Sequence, residues 1–431
     1  MTSLPSRLSR KPFGFGMFVL GLAAAAAIAG EGCGSDAGST FADGGPDGSS
    51  GPGDGQDGST DDDAPTINPD GAPDNPFQGC EEARDKAARL PVYMLFVLDG
   101  SRSMYYKPGN TETSAKWPAA IGALDAIFDD LAAKNDPAFG AGITGFCDDY
   151  DKTCGDTTAG PYSKMDVPIA RVDAAQAAAL HARIDTHRPL APGEPGGGTP
   201  TYEVLAGQYP VLEAFTPPAG LDPDGRRVLV LITDGIPDTD MPAGTNEGPG
   251  SLKLAKAESS KNAPAVPVTT FAVGVGELNP VNAAVYDPKF MGALAVAGGS
   301  PKQPCDPNEA QDATKMCHFQ ITPGAKTVDQ LKQDFLDAIN TIRNKVLTCE
   351  YKLERPDGGP DLAADPGKVN VVYTSGTGTK SVVPKNAADG WTYDDDAQPT
   401  KVILNGPTCD RVKADPAGAI EIVLGCRTQV K

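Results

Sequence analysis

Between residues 90 and 347 the chain alternates two hydrophobic patterns. Pro91 to Leu98 is a nearly unbroken apolar run that stops at Asp99, and Val228 to Ile232 is a second such run, closed by Thr233-Asp234-Gly235. Short continuous apolar runs predict strands buried on both faces. Ala138 to Phe146, Val167 to Val172 and Val266 to Val275 read as further strands. Between them the apolar positions fall at helical spacing. Ile121, Leu124, Ile127, Phe128 and Leu131 share one side of a helix predicted over Ala115 to Ala133. Ala174 to Ile184 and Thr327 to Val346 are read as helices too, and Tyr202 to Phe215 as a helix broken near Pro210. Strand-helix alternation predicts an α/β fold, a doubly wound, mostly parallel sheet covered on both faces. Ligands of such sheets bind beyond the carboxyl ends of the strands.

After Cys349 the alternation ceases. Val369 to Tyr373, Ser381 to Val383, Trp391 to Tyr393, Lys401 to Leu404 and Ala419 to Leu424 are short and β-rich, separated by turn residues such as Asp357-Gly358-Gly359. The chain therefore divides into an α/β segment, residues 80–349, and a small β-rich C-terminal module, residues 350–431. Ahead of them, residues 31–79 form an acidic Gly/Asp/Pro linker with hardly an apolar side chain, a composition that cannot offset the entropy of ordering.

Residues 1–30 read as an export signal or membrane anchor: Arg7, Arg10 and Lys11 precede an apolar stretch from Phe13 to Ala29. Three processing routes stay open: cleavage after Ala27-Ile28-Ala29, lipid attachment at Cys33, or retention of the stretch as an anchor. Cysteine usage agrees with export. Without Cys33 eight cysteines remain, an even number suited to disulfides outside the cytoplasm. Close spacing predicts Cys147–Cys154, Cys305–Cys317 and Cys409–Cys426, the last stapling the β module, and leaves Cys80 with Cys349. Net charge is −20, from 57 acids against 37 Lys and Arg; eleven of the acids lie between Glu31 and Pro76, where no Lys or Arg occurs. This balance argues against nucleic acid, whose phosphates need basic side chains. A membrane is expected to be engaged only through the N-terminal anchor or lipid.

Asp99-Gly100-Ser101-Arg102-Ser103 follows the first strand, Gly196-Gly197-Gly198-Thr199-Pro200-Thr201 leads into a helix, and Asp234 closes another strand. A sheet with this connectivity brings the three segments to one edge. Two carboxylates and three hydroxyls are hard oxygen donors suited to Mg²⁺, with Mn²⁺ or Ca²⁺ as alternatives, and they leave coordination positions open. The ordered set resembles the metal-ion-dependent adhesion site of von Willebrand factor type A (VWA) domains, over roughly residues 90–347. That resemblance implies a metal held by Asp99, Ser101, Ser103, Thr199 and Asp234, with one position awaiting an acidic residue of a protein ligand. Thr201 replaces Thr199 if the turn is read two residues later. Arg102 stands where Gly is frequent in bacterial members. The C-terminal stretch is similar to the tail of exported VWA lipoproteins of δ-proteobacteria, which adds the envelope or surface as the expected location.

Catalytic motifs are absent: there is no G-x-S-x-G, H-E-x-x-H or Walker sequence, and the histidines His181, His187 and His318 are scattered, read as ordinary polar positions. The expectation is an adhesion or protein-binding molecule, not an enzyme. The alternative is a structural or assembly component of the envelope in which the metal only stabilises the fold.

Overall fold

In a computed structural model, the described residues are 77, 81, 83–107, 112–147, 159–186, 198–219, 221–237, 247–262, 264–278, 286–353, 365–415 and 418–430. The expected signal (1–30), Cys33, nearly all of the linker (31–79), Cys80, Cys154, Gly196 and Gly197 lie outside them.

In chain order the elements are β1 (Ala83–Ala87), β2 (Val92–Asp99), α1 (Arg102–Tyr105), α2 (Lys116–Lys134), β3 (Phe139–Phe146), β4 (Val167–Arg171), α3 (Ala174–Thr186) and α4 (Thr201–Glu213). There follow β5 (Arg226–Thr233), α5 (Glu247–Ser259), β6 (Val268–Val275), α6 (Pro288–Ala297), β7 (Phe319–Ile321), α7 (Val328–Val346) and β8 (Glu350–Lys352). The chain ends with β9 (Val369–Thr374), β10 (Lys380–Val383), β11 (Gly390–Tyr393), β12 (Lys401–Asn405), α8 (Gly406–Ala414) and β13 (Ala419–Leu424).

Six strands form the main sheet in the order β4-β3-β2-β5-β6-β7. All neighbours are parallel except β3 and β4. Every residue of β2 is buried, because the strand faces a helical layer on each side. Val92, Met94, Phe96 and Leu98 pack with Leu124, Phe128, Leu180, Phe335 and Ile339 of α2, α3 and α7. Tyr93, Leu95 and Val97 pack with Val204, Tyr209, Ala255, Met291 and Leu294 of α4, α5 and α6. Each such side chain contributes roughly 1.5–3 kcal/mol on burial, and this two-sided demand is why the run lacks polar positions until Asp99. The helix expected to break at Pro210 continues through it to Glu213. Pro210 is exposed and sits in the last turn, where a missing N–H interrupts few helical hydrogen bonds. α7 starts as a capping box, with Thr327 and Gln330 satisfying each other's backbone N–H groups.

The C-terminal strands build two antiparallel sheets, β1-β13-β9-β10 and β11-β12-β8. Val371, Tyr373, Ile420 and Ile422 of one pack with Tyr351, Trp391, Tyr393, Val402 and Leu404 of the other. Residues 83–87, placed by sequence in the α/β segment, instead pair with β13 from Ala83↔Leu424 to Ala87↔Ile420. Ala-Arg-Asp-Lys-Ala carries no apolar pattern, so only the ladder partner reveals it as a strand.

Cys305–Cys317 pairs as expected. Cys349, however, bonds Cys409 with a Cα–Cα distance of 5.7 Å, which replaces both the Cys80–Cys349 and the Cys409–Cys426 pairings. The reason is strand pairing: β8 lies on β12, Leu404 N–H donates to the Cys349 carbonyl, and α8 carries Cys409 back over that junction. Sequence proximity does not capture a contact made through a sheet. Cys147 and Cys426 are each engaged in a disulfide as well, their partners lying outside the described residues.

Of the three histidines, His187 lies outside the described residues and His318 departs from the expectation of an ordinary polar position. His318 is fully buried beside Tyr286 and Gln320, and burial pulls its pKa down to about 4. His181 ties α3 to α2, its Nδ1 2.7 Å from Asp125 and its Nε2 3.0 Å from Asp129. Burial alone lowers its pKa, but the two carboxylate hydrogen bonds outweigh that and hold it above the ordinary histidine value. A raised folded-state pKa contributes stability that is complete below the unfolded value and disappears as pH rises through the folded one. Urea melts across that window are expected to show a loss below about 1 kcal/mol, as for a partly exposed pair, and His181→Asn should flatten it. Peptide mapping without reduction should recover Cys349 linked to Cys409. Cys409→Ser should cost about 2–4 kcal/mol, as for removal of a native disulfide.

Candidate functional site

The strand order reverses direction between β2 and β5: from β2 the chain runs outward to β3 and β4, then returns to β5 and continues to β6 and β7. At such a switch point the loops leaving the two central strands diverge and open a crevice at their carboxyl ends. The parallel register sets Leu98 opposite Ile232, so Asp99 and Asp234 leave neighbouring strands at nearly the same level. Both are fully buried.

Hydrogen bonds knit the crevice together. Asp99 Oδ1 accepts the Ser101 N–H at 2.7 Å, and Asp99 Oδ2 accepts the Thr233 hydroxyl. The Ser101 and Ser103 hydroxyls lie 3.2 Å apart, and Ser103 Oγ donates to Asp234 Oδ1 at 2.7 Å. Thr199 arrives from the start of α4. Gly198 before it has φ of +131°, a conformation open to glycine and costly for other residues. A methyl group at Gly235 would stand 1.9 Å from Thr199 Oγ1, which shows how closely that hydroxyl approaches the backbone just past Asp234. The structure therefore brings Asp99, Ser101, Ser103, Thr199 and Asp234 together at one sheet edge. The Thr201 hydroxyl donates to the Thr199 carbonyl at 3.3 Å.

Electrostatics follow from burial. Desolvation, reinforced by neighbouring Asp234, pushes Asp99 up to about 7, against the hydrogen bonds from Thr233 and Ser101. Sequence reasoning missed two participants. By sequence Thr233 is only the end of a strand, yet its hydroxyl bridges Asp99 and the Gly235 N–H. Lys116 was placed only within a helix, yet its ammonium contacts Asp234 Oδ2 and donates to the Ser103 carbonyl at 3.1 Å. Nothing in the local pattern at Lys116 signals this, since the partner is 118 residues away.

The donor set has the chemistry a divalent cation requires: two carboxylates, whose charges balance the ion, and hydroxyls that ligate without adding charge. Among the described residues no cluster of three or more His, Cys, Asp or Glu side chains is placed to hold a metal. The group here differs in taking only two ligands from those types.

No family model and no curated protein matches the chain. Solved structures do. The manganese-loaded TRAP protein of Plasmodium vivax is 15% identical, with 59% of this chain and 76% of that chain covered and a TM-score of 0.32. The PilB minor pilin from Streptococcus sanguinis is 13% identical, with 60% and 63% covered and a TM-score of 0.36. An adhesive tip pilin from Group B Streptococcus agalactiae is 11% identical, with 81% of each chain covered and a TM-score of 0.32. Scores this low carry no weight in assigning the fold, which rests on the strand order and register above.

The crowding at Gly235 gives a direct test. Gly235→Ala is expected to push Thr199 aside and cost about 1–3 kcal/mol, as overpacking does. Gly122→Ala on α2, where the new methyl would meet only the flexible end of Lys332 at 3.6 Å, should instead stabilise by about 0.5–1 kcal/mol. Urea denaturation of both variants compares the two sites.

Proposed function

We propose that this chain is an exported VWA-like binding module, not an enzyme, that captures a protein ligand through a divalent cation at the Asp99 crevice. The observation that carries the reading is the convergence of Asp99, Ser101, Ser103, Thr199 and Asp234 at the switch point of the parallel sheet. In this reading Ser101, Ser103 and Thr199 present hydroxyls to the ion, and Asp99 and Asp234 supply charge directly or through water. Mg²⁺ is the first choice, with Mn²⁺ or Ca²⁺ as alternatives. When bound, the cation supplies an electrophilic position for a carboxylate of the partner. The chain's own groups hold that position in place: Thr233 and the Ser101 N–H orient Asp99, and Ser103 orients Asp234.

Disulfides at Cys305–Cys317 and Cys349–Cys409 support an oxidising, extracytoplasmic location. No helix among the described residues is long and apolar enough to cross a membrane. Attachment to the envelope, by lipid at Cys33 or by an N-terminal anchor, belongs to the proposal.

An acidic peptide immobilised on a sensor surface, or a partner recovered by pull-down, should bind the chain in Mg²⁺. Binding should fall at least tenfold in EDTA and with Asp99→Ala. Binding indifferent to both refutes the reading. A large rise in thermal stability on adding Mg²⁺, with no metal-dependent partner, would assign the ion to stabilising the fold of an envelope component instead.

A further inference from the structure

Lys116 is the first residue of α2. A helix N-terminus carries partial positive charge and disfavours a cation. The first turn of α2 holds no acid to compensate, and its N-cap, Ala115, makes no side-chain cap. Helix chemistry therefore gives no reason for a lysine here. The crevice does. The Lys116 side chain is only 16% exposed and its ammonium is spent on Asp234 Oδ2 and the Ser103 carbonyl. Its backbone is braced: Lys116 N–H donates to Ser114 Oγ at 3.1 Å, and Ser114 N–H donates to the Tyr105 carbonyl at 2.6 Å. Tyr106 and Thr113 bridge across the intervening loop. These contacts place one positive charge on the carboxylate that a divalent ion also needs.

From this geometry we infer that Lys116 is an internal counter-cation that competes with the divalent metal for Asp234 and sets the affinity of the site. The inference rests on the metal-binding reading above. Without metal, the ammonium neutralises a carboxylate that is otherwise buried beside a second one. A divalent ion held by Asp234 would take the place of the ammonium as its counter-charge and leave Lys116 without that carboxylate. The freed ammonium then adds positive charge where an acidic partner approaches, so occupancy of the site and attraction of the partner rise together. Affinity is then weaker than the five oxygen donors alone would provide, and the site fills only when the surrounding concentration of divalent ion is high.

The test uses the full chain and Mn²⁺ or Mg²⁺ alone, by titration calorimetry and Mn²⁺ electron paramagnetic resonance. Lys116→Met keeps the length of the side chain and removes the charge; it should bind either ion at least tenfold more tightly and melt at lower temperature in EDTA, with excess metal restoring the melt. Lys116→Arg should retain the wild-type affinity within about threefold, consistent with a charge effect. Lys134→Met, at the other end of the same helix, should leave binding unchanged. Wild-type binding with an equal or weaker Lys116→Met affinity overturns this inference and leaves the metal reading standing. Absence of binding in both the wild type and Lys116→Met overturns both. Should Lys116→Met fail to fold, amine acylation of wild-type Lys116, read by mass spectrometry, decides the matter. Labelling that rises when metal is added supports release of the ammonium, and unchanged labelling under saturating metal refutes it.

Discussion

Two buried carboxylates at the ends of adjacent parallel strands set the constraint that the crevice is built to meet. Removing one carboxylate from water costs several kcal/mol, and a second beside it adds repulsion. Asp99 and Asp234 tolerate the arrangement because each is surrounded by groups that offset it. Asp99 takes a hydroxyl and a backbone N–H; Asp234 takes a hydroxyl and an ammonium. The compensation is incomplete for Asp99, whose affinity for a proton is raised to near neutrality. The charge of the pair is thus balanced by groups drawn from separate segments of the chain.

The rest of the α/β portion keeps those groups in place. Burial of β2 and β5 between two helical layers sets their register, and a shift of one residue would send every core side chain to the wrong face. The same register levels Asp99 with Thr233 and Asp234. The α4 start, held by Gly198 and packed against Gly235, adds Thr199 from a third direction. Rigidity of the scaffold therefore becomes precision in the crevice, as expected when functional loops hang from buried strands.

The C-terminal sheets have a different logic. They take β1 from before the main sheet and Cys349 from its end, so their core and their covalent link both depend on chain segments flanking the α/β portion. Arg226 pairs with Glu350, and Lys352 with Asp222 and Asp224, across the same junction. These exposed or half-exposed pairs each contribute little, so the paired strands and the disulfide are the stronger tie.

Apolar periodicity marked β2 to β6 and the helices α2, α3, α4 and α7, because burial leaves a local trace; the five oxygen-bearing residues stood out through their motif order, and the short parallel strand β7 went unread. Periodicity missed α5 and α6, whose glycines, prolines and short apolar stretches blur the helical pattern. It also missed β1, which has no pattern of its own. Cysteine spacing misassigned Cys349 and Cys409, since disulfide choice follows proximity across a sheet. His318 looked like an ordinary polar residue, and only packing made it a buried partner of Tyr286. Lys116 reads as one more helical lysine until the fold brings it to Asp234. Local sequence encodes which side chains are buried or capped; distances between residues more than a hundred positions apart exist only once the sheet has closed, and that is where the charge balance of this site was decided.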